Sequence, residues 1–221
     1  MQRTIITTGD GSKTIHLPDW NENYHSSHGA VQEAKHVFLK NGLDLFSGKP
    51  EVHILEIGFG TGLNAILTLE AVLNSYSNII YDGLEAFPIS NDEMVALEYE
   101  NLLESDFLKE KYKQIHNISW DVPNLITPTF TLTKIQNELQ KQTFTANKYD
   151  IIYFDAFGPR VQEAMWTKEI FQKLYISLKP NGYLVTYCAK GQVKRDLKSV
   201  GFFVEALPGP PGKREMTRGR K

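Results

Sequence analysis

Val52-His53-Ile54-Leu55-Glu56-Ile57, then Gly58-Phe59-Gly60-Thr61-Gly62, then Leu63-Asn64 is the stretch on which the fold turns. A β-prone apolar run enters three alternate glycines, and Leu63 to Tyr76 continues as a largely apolar helix. Strand, Gly-rich turn and helix together form the nucleotide-binding corner of an open α/β sheet, where glycines let backbone and ligand approach closely. A plain tight turn has the same glycines, so the neighbouring acids carry the distinction. Glu56 stands two residues before Gly58, at the mouth of the crevice. Glu85 ends the next apolar run, Ile79 to Leu84, where an acid accepts hydrogen bonds from ribose hydroxyls.

Toward the C-terminus, Ser90-Asn91-Asp92-Glu93 matches a capping box and opens a helix toward Glu104. Strands alternating with helices predict a parallel sheet. Phe130 to Lys134 alternates as a strand, and Gln136 to Lys141 reads as a short helix. Tyr149 to Phe154 is nearly all apolar, as a strand buried on both faces requires, and Asp155 ends it at the carboxyl edge of the sheet. Ile170, Phe171, Leu174, Tyr175 and Leu178 form a helix stripe that stops at Lys179-Pro180-Asn181-Gly182, a turn by its chemistry. Tyr183 to Cys188 is a further strand, Gln192 to Ser199 a helix and Phe202 to Leu207 another strand. Toward the N-terminus, Ile5 to Thr8 and Lys13 to Leu17 flank Gly9-Asp10-Gly11-Ser12 as a hairpin, and Val31, Ala34 and Phe38 take helical spacing before Asn41-Gly42. Residues 1–50 are thus expected to be a hairpin and helix appendage to one α/β unit over residues 51–221.

Composition sets the class. The chain has 221 residues, 41% of them hydrophobic, and 24 Lys and Arg against 26 Asp and Glu give a net charge of −2. These values fit an ordinary folded domain that buries roughly 70% of its unfolded surface. No window approaches about 18 uninterrupted apolar residues, so no membrane span is expected. The N-terminus lacks the apolar run of a signal peptide, and a single cysteine, Cys188, excludes an intrachain disulfide and a CxxC metal site. A cytoplasmic protein is expected. The six histidines form no ligand set, so no metal is expected, and His28 and His36 read as packed or surface residues. The near-neutral total argues against a uniformly basic nucleic-acid surface, yet the last nine residues, Lys213 to Lys221, hold five bases and one acid.

Glu56 separates two cofactor classes. A dinucleotide would place an anionic pyrophosphate beside this carboxylate, which repels it. S-adenosylmethionine brings an ammonium and a sulfonium, which a carboxylate favours. For the methyl transfer to nitrogen that a family resemblance of this chain implies, Asp155 is the candidate, because a carboxylate that accepts the N–H bonds of an amine orients its lone pair and collects the departing proton. Phe157, two residues on, either stacks on an unpaired base or serves as a core aromatic, and Pro159 fixes the turn that presents it.

The segment Val52 to Asn64 resembles the first motif of the seven-stranded class I methyltransferases. More narrowly, the chain resembles the methyltransferase domain of the MnmC and MnmD tRNA wobble-uridine modification enzymes. The pieces that carry this are Asp10-Gly11-Ser12, Tyr24-His25-Ser26, His28-Gly29-Ala30, His36-Val37-Phe38, Glu85-Ala86-Phe87-Pro88, Phe154-Asp155-Ala156-Phe157-Gly158-Pro159, Met165-Trp166 and Gly212-Lys213-Arg214-Glu215-Met216. The resemblance implies a Rossmann-like α/β fold with a mostly parallel seven-stranded sheet and an antiparallel last strand. It implies that Glu56, Gly58, Gly60, Thr61, Gly62, Asn64 and Glu85 hold S-adenosylmethionine with Tyr24 as a lid, although Tyr24 also reads as a surface-loop residue. It implies methylation of the primary amine of 5-aminomethyluridine, or its 2-thio form, in tRNA, with Phe157, Pro159, Lys213 and Arg214 on the substrate side and a separate enzyme supplying the aminomethyl group. These residues contain no second Gly-rich strand, loop and helix, so no FAD-dependent oxidase activity is expected of them. Relatives end the third parallel strand region in Gly-Asp; here Thr133-Lys134-Ile135 lacks that acid, and backbone groups of Lys134 and Ile135 are expected to meet the adenine.

Three other readings share these features. One is a methyltransferase of the same fold acting on a small-molecule or protein amine, and another is an aminopropyl transferase of the polyamine-synthase kind. The third is a non-catalytic RNA-binding module that keeps the glycine loop as structure.

Overall fold

β1 (Thr4–Thr7) is made entirely of β-branched residues and β2 (Lys13–Leu17) has Thr14 and Ile15 at its centre, and the two strands pair antiparallel from Thr4 opposite His16 to Thr7 opposite Lys13. The computed structural model describes residues 2–9, 11–25, 29–73 and 77–221. Asp10 in the hairpin turn, Ser26 and His28, and the expected helix end at Tyr76 lie outside the described residues. A short β3 (Glu22–Asn23) adds to β2, so the expected hairpin is a three-stranded sheet. The helix α1 (Ala30–Ala34) continues as a π-helical turn through Lys35–Lys40. Its apolar side shares one core with the main sheet: Ile15, Val37 and Phe38 pack with Val52, Ile54 and Tyr153.

The main sheet grows from β4 (Glu51–Ile57), with α2 (Leu63–Val72) and β5 (Asn78–Glu85) following in order. The capping box forms as read: Ser90 Oγ accepts from Glu93 N and the Glu93 carboxylate accepts from Ser90 N at 2.7 Å. Its helix α3 (Asn91–Leu97) does not reach Glu104, because Glu98 turns left-handed at φ 53° and Tyr99–Leu102 is a 3-10 turn. A second helix, α4 (Asp106–Asn117), unread in the sequence, starts at Ser105, whose hydroxyl accepts from Leu108 N. Then come β6 (Asn124–Thr127) and β7 (Phe130–Gln136). The short helix expected over Gln136 to Lys141 is absent; β7 takes up Gln136 and the rest is a turn. After β8 (Tyr149–Phe154) and α5 (Lys168–Ser177), β9 (Leu178–Thr186) contains the Lys179-Pro180-Asn181-Gly182 stretch expected as a turn. That stretch is a bulge: Leu178 pairs with Tyr149 and Tyr183 with Ile151, and Asn181 has φ 61°. The chain closes with α6 (Gly191–Ser199), β10 (Phe203–Pro208) and β11 (Glu215–Arg220).

The strand order is β10-β11-β9-β8-β4-β5-β7-β6. Strands β7, β5, β4, β8 and β9 run parallel to one another, and β11 inserts antiparallel to β9, so the last strand reverses as the family resemblance implied. There are eight strands instead of seven, because Ile126 of β6 is buried and this short strand pairs antiparallel at the edge beyond β7. From β4 the chain moves to β5 on one side and to β8 on the other. The carboxyl ends of β4 and β8 therefore part at the switch point where open α/β sheets bind ligands. Every residue of β8 is buried. Asp150 can lie there because His53 N, Lys49 and Lys179 donate to its carboxylate, which outweighs burial and holds it below the ordinary range. Among the described residues no helix is long and apolar enough to cross a membrane.

Candidate active site

A cavity of about 1000 Å³ opens at the carboxyl ends of β4, β5 and β8, walled on the outside by the N-terminal sheet. The glycine loop makes its floor. Gly58, Gly60 and Gly62 have φ of 87°, 51° and 69°, a left-handed region costly for other residues. At Gly58 a Cβ would also stand 2.6 Å from the Asp155 carbonyl oxygen, so glycine is what lets the ends of β4 and β8 meet. The Thr61 carbonyl accepts from Tyr112 Oη and from His116 Nε2, each at 3.0 Å, which anchors the loop to α4. Burial, helped by the Lys134 charge, pushes His116 down to about 4, so the ring is neutral and donates this bond. His25, also pushed to about 4 by burial, accepts from Tyr99 Oη at 2.9 Å and packs beside Thr61.

Glu56 does not reach the cavity. It is fully buried beneath the loop, where Asn64 Nδ2 donates to one oxygen at 2.7 Å and Tyr81 Oη to the other at 2.8 Å. The same Asn64 amide donates to Asp155 Oδ2 at 2.8 Å. One side-chain amide thus joins the acids that end β4 and β8. Burial raises Glu56 well above the ordinary carboxylate range; the Asn64 and Tyr81 hydrogen bonds oppose this and Asp155 adds to it. Asp155, at the cavity wall, is pushed up to about 7 by burial and by Glu33, against the Asn64 hydrogen bond and the Lys213 charge. Asn64 Oδ1 is buried and has no hydrogen-bond partner among the described residues.

Glu85 lines the cavity and accepts from Gly60 N and from Phe87 N, both at 2.9 Å. Tyr24 packs over the loop: a Cβ on Gly60 would lie 3.4 Å from its ring, and Phe157 meets that ring edge-on at 5.1 Å. Burial raises Tyr24 to about 12, so it is a neutral phenol within the cavity wall and not a surface-loop residue. Phe157 packs between Tyr24 and Trp20 with its ring on the cavity, and its carbonyl accepts from Trp166 Nε1 at 2.8 Å. Core aromatic and cavity-facing ring are therefore one position.

Four expected residues are placed elsewhere. Lys134 is 1% exposed and donates from Nζ to the His116 carbonyl at 2.7 Å, above the Trp120 ring, while its own carbonyl accepts from Asp121 N. Ile135 packs into the core on the other side of the sheet, and the cavity is bounded beyond β7 by Asn137 to Gln140 instead. Pro159 sits in the Gly158 to Gln162 turn, off the cavity wall, and Arg214 is exposed outside it. Lys213 lines the cavity, but its ammonium pairs with Glu33 of α1 and lies 4.2 Å over the Tyr187 ring. Glu33 and Tyr187 had no signal in the sequence beyond their residue type.

A family model described as S-adenosyl-L-methionine-dependent methyltransferase matches residues 97–221. The chain is 31% identical over 229 residues to the tRNA 5-methylaminomethyl-2-thiouridine biosynthesis bifunctional protein MnmC of Cupriavidus metallidurans, covering 97% of this chain and 33% of that protein. The protein of the same name from Pseudoalteromonas atlantica is 31% identical, with 91% of this chain and 31% of that one covered. The chain spans about a third of the length of the curated relatives it matches. Among solved structures, MNMC2 from Aquifex aeolicus superposes with a TM-score of 0.76 at 22% identity over 99% of this chain and 70% of that one. Spermidine synthase from Thermotoga maritima gives 0.53 at 15% identity over 100% and 71%. Both share the fold.

Proposed function

The chain belongs to the S-adenosyl-L-methionine-dependent methyltransferases, and from that premise we propose that it methylates the primary amine of 5-aminomethyluridine, or its 2-thio form, at the wobble position of tRNA. The product is the 5-methylaminomethyl nucleoside. The relatives' names supply the substrate class. The observation that carries the chemistry is the single Asn64 amide holding Asp155 against the glycine loop, at the wall of the cavity.

The residues fit the methyl donor. The Glu85 carboxylate stands where ribose hydroxyls can donate to it, Gly58 and Gly60 leave the floor open, and the orphaned Asn64 Oδ1 offers an acceptor to an ammonium. Asn137 and Leu139 take the adenine side in place of Lys134 and Ile135. Glu56 acts through Asn64 and does not touch the ligand. Bound S-adenosylmethionine supplies a methyl group on a cationic sulfur, which leaves as a thioether when the substrate nitrogen takes the methyl.

Asp155 accepts an N–H bond of the substrate amine, which points the nitrogen lone pair away from the carboxylate. The amine must be neutral to react, and a carboxyl near 7 is ionised in enough of the enzyme at neutral pH to receive the proton it sheds. Asp155 would hold the proton that the nitrogen sheds as it takes the methyl group. Phe157 and Tyr24 give the base an aromatic wall and keep water from the amine. The test incubates the chain with methyl-labelled S-adenosylmethionine, tRNA from cells lacking this modification, and a mixed protein and metabolite fraction. Label in tRNA is expected; label confined to the other fractions overturns the reading in favour of a small-molecule or protein amine.

A further inference from the structure

Charge is segregated across the cavity mouth. From Glu85 to Asp106 the chain carries seven Asp and Glu and no Lys or Arg, and Glu85 and Glu93 of that run line one side of the cavity; Glu93, Glu98, Glu100 and Asp106 pair with Arg3, Lys13, Lys113 and Lys109, which leaves Glu85, Asp92 and Glu104 without an ion pair among the described residues. From Tyr187 to Lys221 it carries nine Lys and Arg against three Asp and Glu, and Tyr187 and Lys213 line the other side. In the sheet these flanks follow β5 and β9, which are separated by β4 and β8. The two stretches carry formal charges of −7 and +6, an opposition that the net charge of −2 hides.

On the basic flank several cations are committed within the fold. Lys213 pairs with Glu33, Arg218 with Glu205 at 2.9 Å and Lys194 with Glu215 at 2.7 Å, while Lys221 donates to the Leu178 carbonyl. Lys190, Arg195, Lys198 and Arg214 are exposed and pair with no carboxylate among the described residues. Helix α6 explains their common surface. Val193 and Leu197 face the core, so Lys190 at the N-cap, Lys194 and Lys198 recur every four residues on the solvent side, with Arg195 beside them. That spacing is about 6 Å per step along the helix. The Lys194 pair with Glu215 ties this helix to the segment carrying Lys213 and Arg214, so the basic surface reaches the cavity rim. Among the described residues α6 exposes no large apolar side chain, which a helix lying on a membrane needs.

We propose that the face formed by Lys190, Arg195, Lys198 and Arg214 carries the phosphate backbone of the RNA whose base enters the cavity, and that the acidic Glu85 to Asp106 flank excludes approach from the other side. This rests on the tRNA reading above. It moves the RNA contact expected of Lys213 onto α6 and leaves Lys213 to Glu33.

The test measures tRNA affinity by fluorescence anisotropy across a salt series, for the whole chain and for the Lys190→Ala, Arg195→Ala, Lys198→Ala, Arg214→Ala quadruple variant. Thermal melting and S-adenosylmethionine affinity verify that the variant is folded. The variant should bind at least about tenfold more weakly at low salt, with the slope of log affinity against log salt flatter by about 3. In contrast, Asp92→Asn with Glu104→Gln on the acidic flank should tighten binding by about twofold. A folded quadruple variant with wild-type affinity and slope overturns the proposal. So does a variant that loses binding to phosphatidylserine vesicles while keeping tRNA. If α6 governs tRNA binding but no methyl enters tRNA, the proposed reaction fails and the surface stands.

Discussion

Replacing Asp155 by Asn should make the protein more stable and nearly inactive, and both effects follow from one carboxyl. Asp155 sits at about 7, against 3.8 for an ordinary aspartate, a shift of roughly three units. At 1.36 kcal/mol per unit this is about 4 kcal/mol of cost for an ionised Asp155 in the fold. The residue is partly open to the cavity, and solvent there screens the cost to about 2 kcal/mol. Asn keeps an oxygen for the Asn64 amide and removes the charge. Because the folded-state value is raised, wild type binds its proton more tightly folded than unfolded; its deficit is absent below pH 4, grows between 4 and 7 and is complete above 7. The variant should therefore melt about 4 to 8 °C above wild type at pH 8 and by much less at pH 5. Its kcat should fall by about a hundredfold or more, as the loss of a general base requires. Paired thermal melts at the two pH values and steady-state methyl transfer give both numbers. A melting difference independent of pH, or a variant that turns over like wild type, refutes the assignment.

Other perturbations probe the neighbours. Asn64→Ala removes the donor shared by Glu56 and Asp155, and should cost about 2 to 3 kcal/mol in urea unfolding together with a loss of kcat of at least about tenfold. Gly58→Ala sets a Cβ against the Asp155 carbonyl in a left-handed conformation; calorimetry should show S-adenosylmethionine affinity reduced at least about tenfold and a fold weakened by about 1 to 3 kcal/mol. Glu33→Gln removes a charge that raises Asp155 and should move the acidic limb of the kcat/KM profile to lower pH. Lys213→Met removes one that lowers it and should move that limb upward.

The parts of this fold that were legible in the sequence are those that local chemistry decides. The glycine loop, the Ser90 to Glu93 capping box and the all-apolar β8 each require particular residues in sequence order. The turn at Lys179 to Gly182 was chemically right and topologically incomplete, since a bulge and a turn use the same left-handed Asn181. Helix α4 was hidden because only Leu108, Tyr112 and Ile115 of its twelve residues are buried, and its charges obscure that stripe. At the site, sequence position located the acids but not the direction in which they face. Glu56 ends β4 as expected, yet Tyr81 and Asn64 occupy its oxygens from beneath, so the acid serves the cavity at one remove. Lys213 looked free for phosphate because Glu33 lies 180 residues earlier in the chain, and only the fold brings the two together.

In the proposed reaction Asp155 directs a methyl group onto a wobble-uridine amine. The most direct measurement of this is mass spectrometry of nucleosides from aminomethyl-containing tRNA after reaction with wild type and with Asp155→Asn. The proposed chemistry predicts an aminomethyluridine one methyl group heavier, with the added carbon on the side-chain nitrogen, formed by wild type and nearly lost with the variant. A methyl on the ring or ribose, or equal product from both proteins, would contradict it.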